Sequence, residues 1–158
     1  MNIISEAFAQ NQRVEVTVTG GTGNYLYQLD NGPWVAQNVF NNIKGCDVRV
    51  VSVQEASGCN DVATADFRIL EFPKFFTPNG DAFNETWNID CLDDQPRAKV
   101  SIFDRYGKLL KVISTLGAGW DGTYLGNPMP SSDYWFMVEY FAADDSPRTF
   151  RSHFTLKR

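Results

Sequence analysis

Apolar and polar residues alternate along most of the chain with a period of two. In the first half, four segments follow this pattern: RVEVTVT (13–19), NYLYQLD (24–30), DVRVVSVQ (47–54) and ATADFRIL (63–70). In the second half, four more do so: KVSIFDR (99–105), KLLKVIS (108–114), YWFMVEYF (134–141) and RTFRSHFTL (148–156). Successive side chains of a β-strand point to opposite faces of a sheet, so the pattern predicts half-buried strands.

Turn-forming residues separate the predicted strands. Tyr106-Gly107 predicts a tight hairpin within the second half, and Asp144–Pro147 predicts another before the last strand. No window of the sequence keeps apolar residues at helical spacing between capping residues. Because strands recur at short spacing with turns between them, the sequence predicts an all-β chain of two tandem Ig-like antiparallel β-sandwiches.

The composition of the chain changes near residue 72. A length of 158 residues suits one domain or two small ones, since domains average about 100–200 residues. Six of the seven prolines lie at or after Pro73, and the junction Glu71–Pro73 has no flexible Gly/Ser linker. We therefore place the boundary at this junction and predict two domains, residues 1–72 and residues 73–158.

Charge and hydropathy exclude two classes of interaction. The chain has 14 Lys and Arg against 19 Asp and Glu, a formal net charge of −5. Nucleic-acid binding requires a basic stripe, and the sequence has none. No run of about 18 apolar residues occurs, so we expect no membrane span. The start MNIISEAFAQ lacks a basic region and a long apolar core, so we expect that it is not a signal peptide.

The sequence contains few metal ligands of the zinc type. It has three cysteines, Cys46, Cys59 and Cys91, and one histidine, His153. Structural zinc sites combine Cys and His at short spacings, so we expect no zinc. A strand over residues 47–54 would hold Cys46 and Cys59 roughly 25 Å apart, and we expect no disulfide between them. The sequence offers Cys91 no evident partner.

The sequence contains no catalytic constellation. Ser152 and His153 are adjacent on a predicted strand, so their side chains point to opposite faces and cannot form a nucleophile–base pair. Two acidic pairs are also adjacent in sequence, which is typical of solvated loop tips: Asp93-Asp94 and Asp144-Asp145. A glycosidase instead holds two carboxylates about 5–9 Å apart. We therefore predict that the protein is not an enzyme.

The second half carries a linked set of motifs. In order they are PKFFTPNGDAFNETWNI (73–89), KVSIFDRYGKLL (99–110), GWDGTYLGNPMPSSDYWFMV (119–138) and HFTLKR (153–158). Their order and spacing resemble the C-terminal domain of the gliding-motility-associated family, the type B sorting signal of the type IX secretion system in Bacteroidota. The family usually reads Asn-Gly-Asp-Gly and Asn-Asp where this chain has Ala82 and Glu85. The resemblance covers residues 73–158.

The first half more loosely resembles the Ig-like repeats of large surface adhesins that carry such tails. The matching stretches are VTVTGGTGNYLYQLDNGPW, NVFNNIKG and SGCN. Those repeats usually read Gly-x-Tyr-Thr-Val where this chain has Gly45–Val48. The resemblance implies a last Ig-like repeat next to a sorting domain, at the end of a large exported protein similar to a gliding adhesin.

The resemblance also implies partners and a location. A domain of this family would be read as a folded unit after Sec export, by periplasmic and outer-membrane components of the type IX secretion system. A type B partner membrane protein would be among these components. The attached cargo would pass through the periplasm and reach the cell surface or the medium.

Six residues are candidates for recognition by the transport machinery: Trp120, Asp121, Tyr134, Trp135, Lys157 and Arg158. For Trp120 we favour the alternative that it packs in the core at one end of the sandwich. For Lys157 and Arg158 the alternative is a charged, solvated chain end. Alternation in the final strand places its apolar face in the core and leaves both of these residues in solvent.

An Asn/Asp-rich turn is a candidate calcium loop. Its oxygen-bearing side chains are those of Asn79, Asp81, Asn84 and Glu85, around Gly80. Calcium prefers oxygen ligands, but the spacing of an EF-hand is absent. A turn whose Asn and Asp side chains cap its own backbone has the same composition, and we favour this interpretation. No cofactor is therefore predicted.

A second function class is an adhesive β-sandwich that binds carbohydrate or protein. Exposed rings of Trp34, Trp120 and Trp135 would then stack on sugars. Trp34 follows Pro33 in a predicted turn, so we expect it to be the most exposed of the three. Export of a fused reporter distinguishes the two classes, because only a sorting signal confers export.

Overall fold

The computed structural model describes four stretches of the chain: residues 2–3, 6–57, 61–142 and 144–158. Within them the only helix is a single 3-10 turn, Asp90–Leu92, and the other regular structure is β-strand. The prediction of an all-β chain is confirmed. No helix in these stretches is long and apolar enough to cross a membrane. The chain forms two compact units, Met1–Glu71 and Phe72–Arg158.

The first unit contains two three-stranded antiparallel sheets. Its strands are β1 (Asn2–Ile3), β2 (Gln12–Glu15), β3 (Tyr25–Leu29), β4 (Val39–Ile43), β5 (Arg49–Glu55) and β6 (Ala63–Phe67). One sheet has the order β1-β2-β4 and the other the order β3-β5-β6. The four segments predicted from alternation contribute β2, β3, β5 and β6.

Both sheets of the first unit contribute to one apolar core. Its buried members come from each sheet and from the segment after β6: Val14, Val16, Tyr27, Ile43, Val51, Phe67 and Ile69. Since the apolar faces of the two sheets share this core, the sheets pack face to face as two layers. Gln12 is also buried, and its Nε2 donates to the carbonyl of Leu70 at 3.2 Å. Hydrogen bonds of this kind satisfy the polar groups of a buried amide.

Strand β4 is not predicted by the alternation of the sequence. Its first two residues are half-buried, whereas Asn41 and Asn42 are both exposed. Asn42 has a φ of 56°, and the pairing of β2 with β4 shifts register between Gln12 and Val14. A bulge inserts an extra residue on one strand and therefore breaks a period of two.

Cys46 lies between β4 and β5 and is disulfide-bonded. The backbone N of its neighbour Gly45 donates to Oε2 of Glu71 at 2.7 Å. Cys59 lies outside the described residues, together with its two neighbours in the SGCN stretch. The expectation that Cys46 and Cys59 do not pair therefore stays a prediction.

The second unit is built on a five-stranded sheet. The strands of the unit are β7 (Phe75–Phe76), β8 (Lys99–Phe103), β9 (Leu109–Ser114), β10 (Thr123–Tyr124), β11 (Asn127–Pro128), β12 (Ser132–Phe141) and β13 (Pro147–Leu156). The sheet has the order β7-β13-β12-β8-β9, and β10 pairs with β11 in a separate ribbon. Strands β12 and β13 have ten residues each and pair along their whole length. This long hairpin is the centre of the sheet.

The predicted hairpin at Tyr106-Gly107 joins β8 to β9. Gly107 has a φ of 80°, a conformation that glycine adopts without steric cost. Oδ1 of Asp104 accepts hydrogen bonds from the backbone N of Tyr106 at 2.8 Å and of Lys108 at 2.9 Å. The turn is thus closed by its own aspartate, and the prediction is confirmed.

The inner face of the five-stranded sheet is covered mainly by chain segments without long strands. Trp87 and Trp120 form a single antiparallel bridge there, with N···O distances of 2.9 Å in both directions. The rings of both residues contact Phe154, an inward-facing residue of β13. The prediction of two tandem Ig-like sandwiches is therefore not confirmed, because in the described part of the second unit this bridge stands opposite the sheet where a sandwich has a second full sheet.

The 3-10 turn Asp90–Leu92 contributes two buried residues to the second unit. Cys91 and Leu92 are both fully buried. Cys91 is also disulfide-bonded, so the expectation that it has no partner is wrong. Spacing in the sequence cannot reveal such a pairing, because a disulfide depends on the distance between two Cα atoms in the folded chain.

Candidate recognition surface

A nucleus of buried aromatic side chains lies in the second unit. Phe154 is fully buried and stacks on Trp87, with ring centroids 3.8 Å apart and an interplanar angle of 11°. Four further rings surround this pair: Phe76, Trp120, Tyr134 and Phe136. Buried aromatic rings contribute large apolar areas and prefer offset or edge contacts, so this cluster holds the surrounding loops in place.

Trp120 and Tyr134 belong to this nucleus and not to the surface. Trp120 is 0% exposed, and its Nε1 donates to the carbonyl of Thr123 at 2.7 Å. Tyr134 is 2% exposed, and its hydroxyl donates to the carbonyl of Pro130 at 2.7 Å. Burial also raises the pKa of Tyr134. The prediction that a receptor contacts these two side chains is therefore corrected, since neither is accessible.

Asp121 is exposed beside the buried Trp120 and closes a turn. Its Oδ1 accepts hydrogen bonds from the backbone N of Thr123 at 3.0 Å and from the Thr123 hydroxyl at 2.8 Å. Partial burial alone would raise the pKa of Asp121, but these hydrogen bonds outweigh it and lower the pKa. The carboxylate thus stays ionised and fixes the chain at the start of β10.

Arg158 is exposed but docked onto three loops. Its side chain donates to the carbonyls of Gly122 at 3.0 Å, Met129 at 3.2 Å and Pro78 at 3.2 Å. Its backbone N donates to the hydroxyl of Ser131 at 3.0 Å. Arg158 therefore stays at the surface as expected, but its side chain ties together segments that are far apart in the sequence.

Gly122 makes this docking sterically feasible. It has a φ of 76°, and a Cβ at this position would lie 2.7 Å from Cδ1 of Leu156 and 3.0 Å from Nη2 of Arg158. A larger residue would displace either the buried leucine or the guanidinium. The close approach of the backbone therefore requires glycine at position 122.

Lys157 is exposed, unlike its apolar neighbour on the strand. Its backbone N donates to the carbonyl of Phe76 at 3.1 Å, which extends the pairing of β13 with β7. Its Nζ lies 4.6 Å from the ring centroid of Phe75, which is 45% exposed. This cation–π pair leaves the ammonium group accessible to a partner.

Replacing Arg158 is expected to cost stability, whereas replacing Lys157 is not. Arg158→Ala removes three side-chain hydrogen bonds at an exposed site, and we expect a loss of about 1–2 kcal/mol. Lys157→Ala removes one exposed cation–π contact, and we expect a loss below about 0.5 kcal/mol. Urea unfolding of the two variants measures the difference. Equal stabilities would show that the docking of Arg158 contributes nothing in solution.

The four residues of the candidate calcium loop lie in one turn, and backbone N–H groups of that turn donate to the side-chain oxygens of three of them. Oδ1 of Asn79 accepts from the backbone N of Asp81 at 3.0 Å, and Oδ1 of Asp81 accepts from that of Phe83 at 2.8 Å. Oε1 of Glu85 accepts from the backbone N of Gly80 at 2.7 Å. Hydrogen bonds from the Asn79 side chain and the Phe83 backbone lower the pKa of Asp81. These contacts are those of a self-capped turn.

The geometry of Asn84 completes this turn. It adopts a φ of 51°, a left-handed conformation that asparagine tolerates better than most residues. Its carbonyl accepts a hydrogen bond from the backbone N of Thr77 at 2.8 Å, which closes the loop at its base. Within the described stretches, no group of three or more His, Cys, Asp or Glu side chains is placed to hold a metal ion.

The structure does not bring the candidate catalytic residues together. His153 is exposed with its ring centroid 6.1 Å from that of Trp135, while Ser152 lies on the inner row of the same strand. Both acidic pairs lie in turns, and Asp93-Asp94 directly follows the 3-10 turn. In the other pair, Asp144 accepts a hydrogen bond from the backbone N of Ser146 at 3.1 Å, and Asp145 forms an ion pair with Arg97. These contacts stabilise turns and are not those of an acid–base pair.

The tryptophans proposed for sugar stacking differ widely in exposure. Trp135 is 44% exposed, Trp34 is half-buried and Trp120 is 0% exposed. The expectation that Trp34 is the most exposed of the three is wrong. Trp120 is excluded from any stacking face by its burial.

Several residues that lie beside Trp135 in the sheet are not among the recognition residues predicted from the sequence. Trp135 pairs in register with Phe103 on β8 and with His153 on β13, and Met137 pairs with Arg151. The alternation of residues 134–141 already placed Trp135 and Met137 on one face. Their cross-strand neighbours depend on strand register, which the sequence pattern did not determine.

These features define the class of the second unit. It is an all-β domain with a buried aromatic nucleus, and its accessible candidate recognition residues are charged or aromatic: Asp121, Trp135, Lys157 and Arg158. Over residues 70–156 the chain matches the CHU_C type IX secretion signal domain, and it belongs to that family. No curated protein matches the chain. The resemblance of residues 73–158 to a sorting domain is thereby confirmed, and the domain is a sorting signal for the type IX secretion system. Such a signal implies interaction with that machinery, export, and a location at the cell surface or outside the cell.

Proposed function

We propose that the secretion machinery reads the second unit as a folded domain, at the outer membrane and after Sec export through the periplasm. A type B partner membrane protein takes part in this recognition. The observation that supports this mechanism is the agreement between the family match, residues 70–156, and the compact unit Phe72–Arg158. A receptor that recognises a folded surface requires a rigid one, and the buried aromatic nucleus provides that rigidity.

Four of the predicted recognition residues are accessible in this proposal: Asp121, Trp135, Lys157 and Arg158. Trp120 and Tyr134 are buried and contribute indirectly, because their polar groups donate hydrogen bonds to backbone carbonyls of the surface loops and so hold these loops in place. Arg158 contributes by holding those loops in one arrangement, and Lys157 by presenting its ammonium group.

We further propose that both units are Ig-like sandwiches and that the first is a repeat of a large surface protein similar to a gliding adhesin. The two facing sheets of the first unit support this assignment. In the second unit, the bridge between Trp87 and Trp120 supports it as the remnant of an opposing sheet. The separation of Ser152 from His153 across the sheet supports the proposal that the chain is not an enzyme.

Export of a fused reporter tests the sorting function. We expect a fluorescent protein that carries residues 1–158, behind a Sec signal peptide, to reach the surface of a Bacteroidota cell with a working type IX system. The matched control carries residues 1–71 alone and is expected to stay in the periplasm. Surface fluorescence after protease treatment measures export. Equal export of both fusions would contradict the assignment of the signal to the second unit.

An adhesive module remains the second candidate, because Trp135 is 44% exposed on a sheet face. An aromatic ring in this position suits stacking on a sugar or on an apolar side chain. The burial of Trp120 leaves the second unit with a single candidate stacking tryptophan. If the 1–158 fusion is retained in the periplasm, the adhesive interpretation replaces the sorting one.

A further inference from the structure

The outer face of the five-stranded sheet carries a groove beside the β8–β9 hairpin. It is lined by Phe103, Arg105, Gly107, Trp135, Met137 and Arg151 and has a volume of about 520 Å³. Strand register explains the grouping, since Trp135 pairs with Phe103 and Met137 pairs with Arg151. The groove thus combines residues of three adjacent strands and of one hairpin loop.

The base of the groove is apolar and accessible. Trp135 is 44% exposed, and Phe103 and Met137 are half-buried beside it. In the described stretches of the chain, the indole N–H of Trp135 forms no hydrogen bond. An exposed indole with apolar neighbours and a free donor is a combination that protein interfaces favour.

The charge at the groove is positive, although the chain has a net charge of −5. Arg151 is exposed, and its side chain forms no hydrogen bond or ion pair with any described residue. Arg105 is held over the ring of Tyr106 at 4.9 Å and donates from Nη2 to the Tyr106 hydroxyl at 2.8 Å. Asp104 also lines the groove, but its Oδ1 accepts two backbone N–H groups of the hairpin.

Two further acidic residues, Asp133 and Glu139, lie on the outer row of β12, before Trp135 and after Met137 respectively. Glu139 follows Met137 on the outer row of β12 and pairs in register with Lys99 and Thr149. Asp133 pairs in register with Thr155, whose hydroxyl donates to Oδ1 of Asp133 at 2.6 Å. The guanidinium of Arg151 forms no ion pair with a carboxylate of the described residues, so it is available to a carboxylate of a partner.

We propose that this groove binds an extended acidic segment of a protein of the secretion machinery. An apolar side chain of that segment packs on Trp135 and Met137, and a carboxylate forms a charge-assisted, two-point hydrogen bond with Arg151. The proposal rests on the sorting function, for which it names the contact surface and the chemistry of the partner. A planar guanidinium favours a carboxylate over a sugar hydroxyl, because its fork of donors matches both carboxylate oxygens.

The first test measures export of the reporter fused to residues 1–158. We expect Arg151→Glu and Trp135→Ala each to reduce surface reporter by about tenfold or more, the effect of losing an interfacial anchor. Arg151→Lys is expected to restore part of the export. Arg148→Glu is the matched control, since Arg148 is an exposed arginine on the same strand outside the groove, and we expect export within about twofold of wild type. Melting temperatures within about 4 °C of wild type show that the variants fold.

The second test uses purified protein, residues 1–158, and does not depend on export. The probe is a synthetic peptide of alternating leucine and glutamate, and its counterpart has lysine in place of glutamate. We expect a saturable change in tryptophan fluorescence with the glutamate peptide only. The change should be lost in Arg151→Glu and in Trp135→Phe, since the remaining tryptophans lie outside the groove.

The outcomes separate the groove from the sorting function. If wild-type protein is exported and Arg151→Glu is exported equally well, the groove proposal is overturned while the sorting function stands. Loss of export in Trp135→Ala with normal export in Arg151→Glu also overturns it, because the ligand is then apolar or a sugar and not acidic. If the wild-type fusion is not exported, the sorting function fails, and the peptide measurement alone decides whether the groove binds acidic segments.

Discussion

Phe154→Ala is expected to lower the free energy of unfolding by about 3–5 kcal/mol, the usual cost of emptying a buried aromatic site. Phe154 is 0% exposed, and its ring stacks on Trp87 at 3.8 Å. Removing the ring leaves a cavity between aromatic groups that cannot collapse, since Trp87 and Trp120 are tied to each other by backbone hydrogen bonds. Urea unfolding followed by tryptophan fluorescence measures the loss.

Phe75→Ala is the control for this variant. Phe75 is also a phenylalanine of the five-stranded sheet, but it is 45% exposed. We expect its replacement to cost less than about 1 kcal/mol, because little apolar area leaves water on folding. Export of Phe154→Ala should fall only through misfolding, whereas its loss in a fully folded variant would indicate direct recognition. Similar stabilities of the two variants would contradict the conclusion that the aromatic nucleus stabilises the second unit.

Gly119→Ala is expected to destabilise the protein by about 3 kcal/mol. Gly119 has a φ of 85°, and a Cβ at this position would lie 2.6 Å from the carbonyl O of Trp87. The left-handed conformation costs about 1–2 kcal/mol for a non-glycine residue, and overpacking against the backbone adds about 1–3 kcal/mol. The clash falls on the bridge between Trp87 and Trp120, so the nucleus itself has to shift.

Gly80→Ala separates the two contributions. Gly80 has the same φ of 85°, but a Cβ there would meet no atom within 4 Å. We therefore expect only the conformational cost, about 1 kcal/mol. The difference between the two variants in urea unfolding reports the close contact at Gly119. Equal losses would mean that the backbone at Trp87 relaxes without cost.

Much of the sheet structure could be predicted from alternation alone. The final strand illustrates this, because its inner row is the one predicted, with Phe154 and Leu156 buried and His153 exposed. Tyr106-Gly107 also predicted its hairpin correctly, since an aspartate two residues earlier and a glycine with positive φ define a tight turn locally. These features depend on the period of the strand and on turn chemistry, both of which are local.

The bulged strand Val39–Ile43 and the disulfide of Cys91 could not be predicted in this way. The strand contains a residue with positive φ that interrupts the alternation. The disulfide depends on a distance in the folded chain. The alternation of apolar and polar residues reports neither a local backbone irregularity nor a distance between residues far apart in the sequence.

The candidate recognition surface could likewise be predicted from the sequence only in part. The sequence by itself determined the all-β class, the family of the second half, and the presence of large aromatic and charged residues near its end. Only the tertiary structure decided that Trp120 is buried while Trp135 is exposed, and that Arg158 is docked on Gly122 and not free in solvent. The physical reason is that exposure and hydrogen bonding depend on which strands and loops become neighbours. That neighbourhood follows from register and packing of the whole unit, not from the residue types at each position.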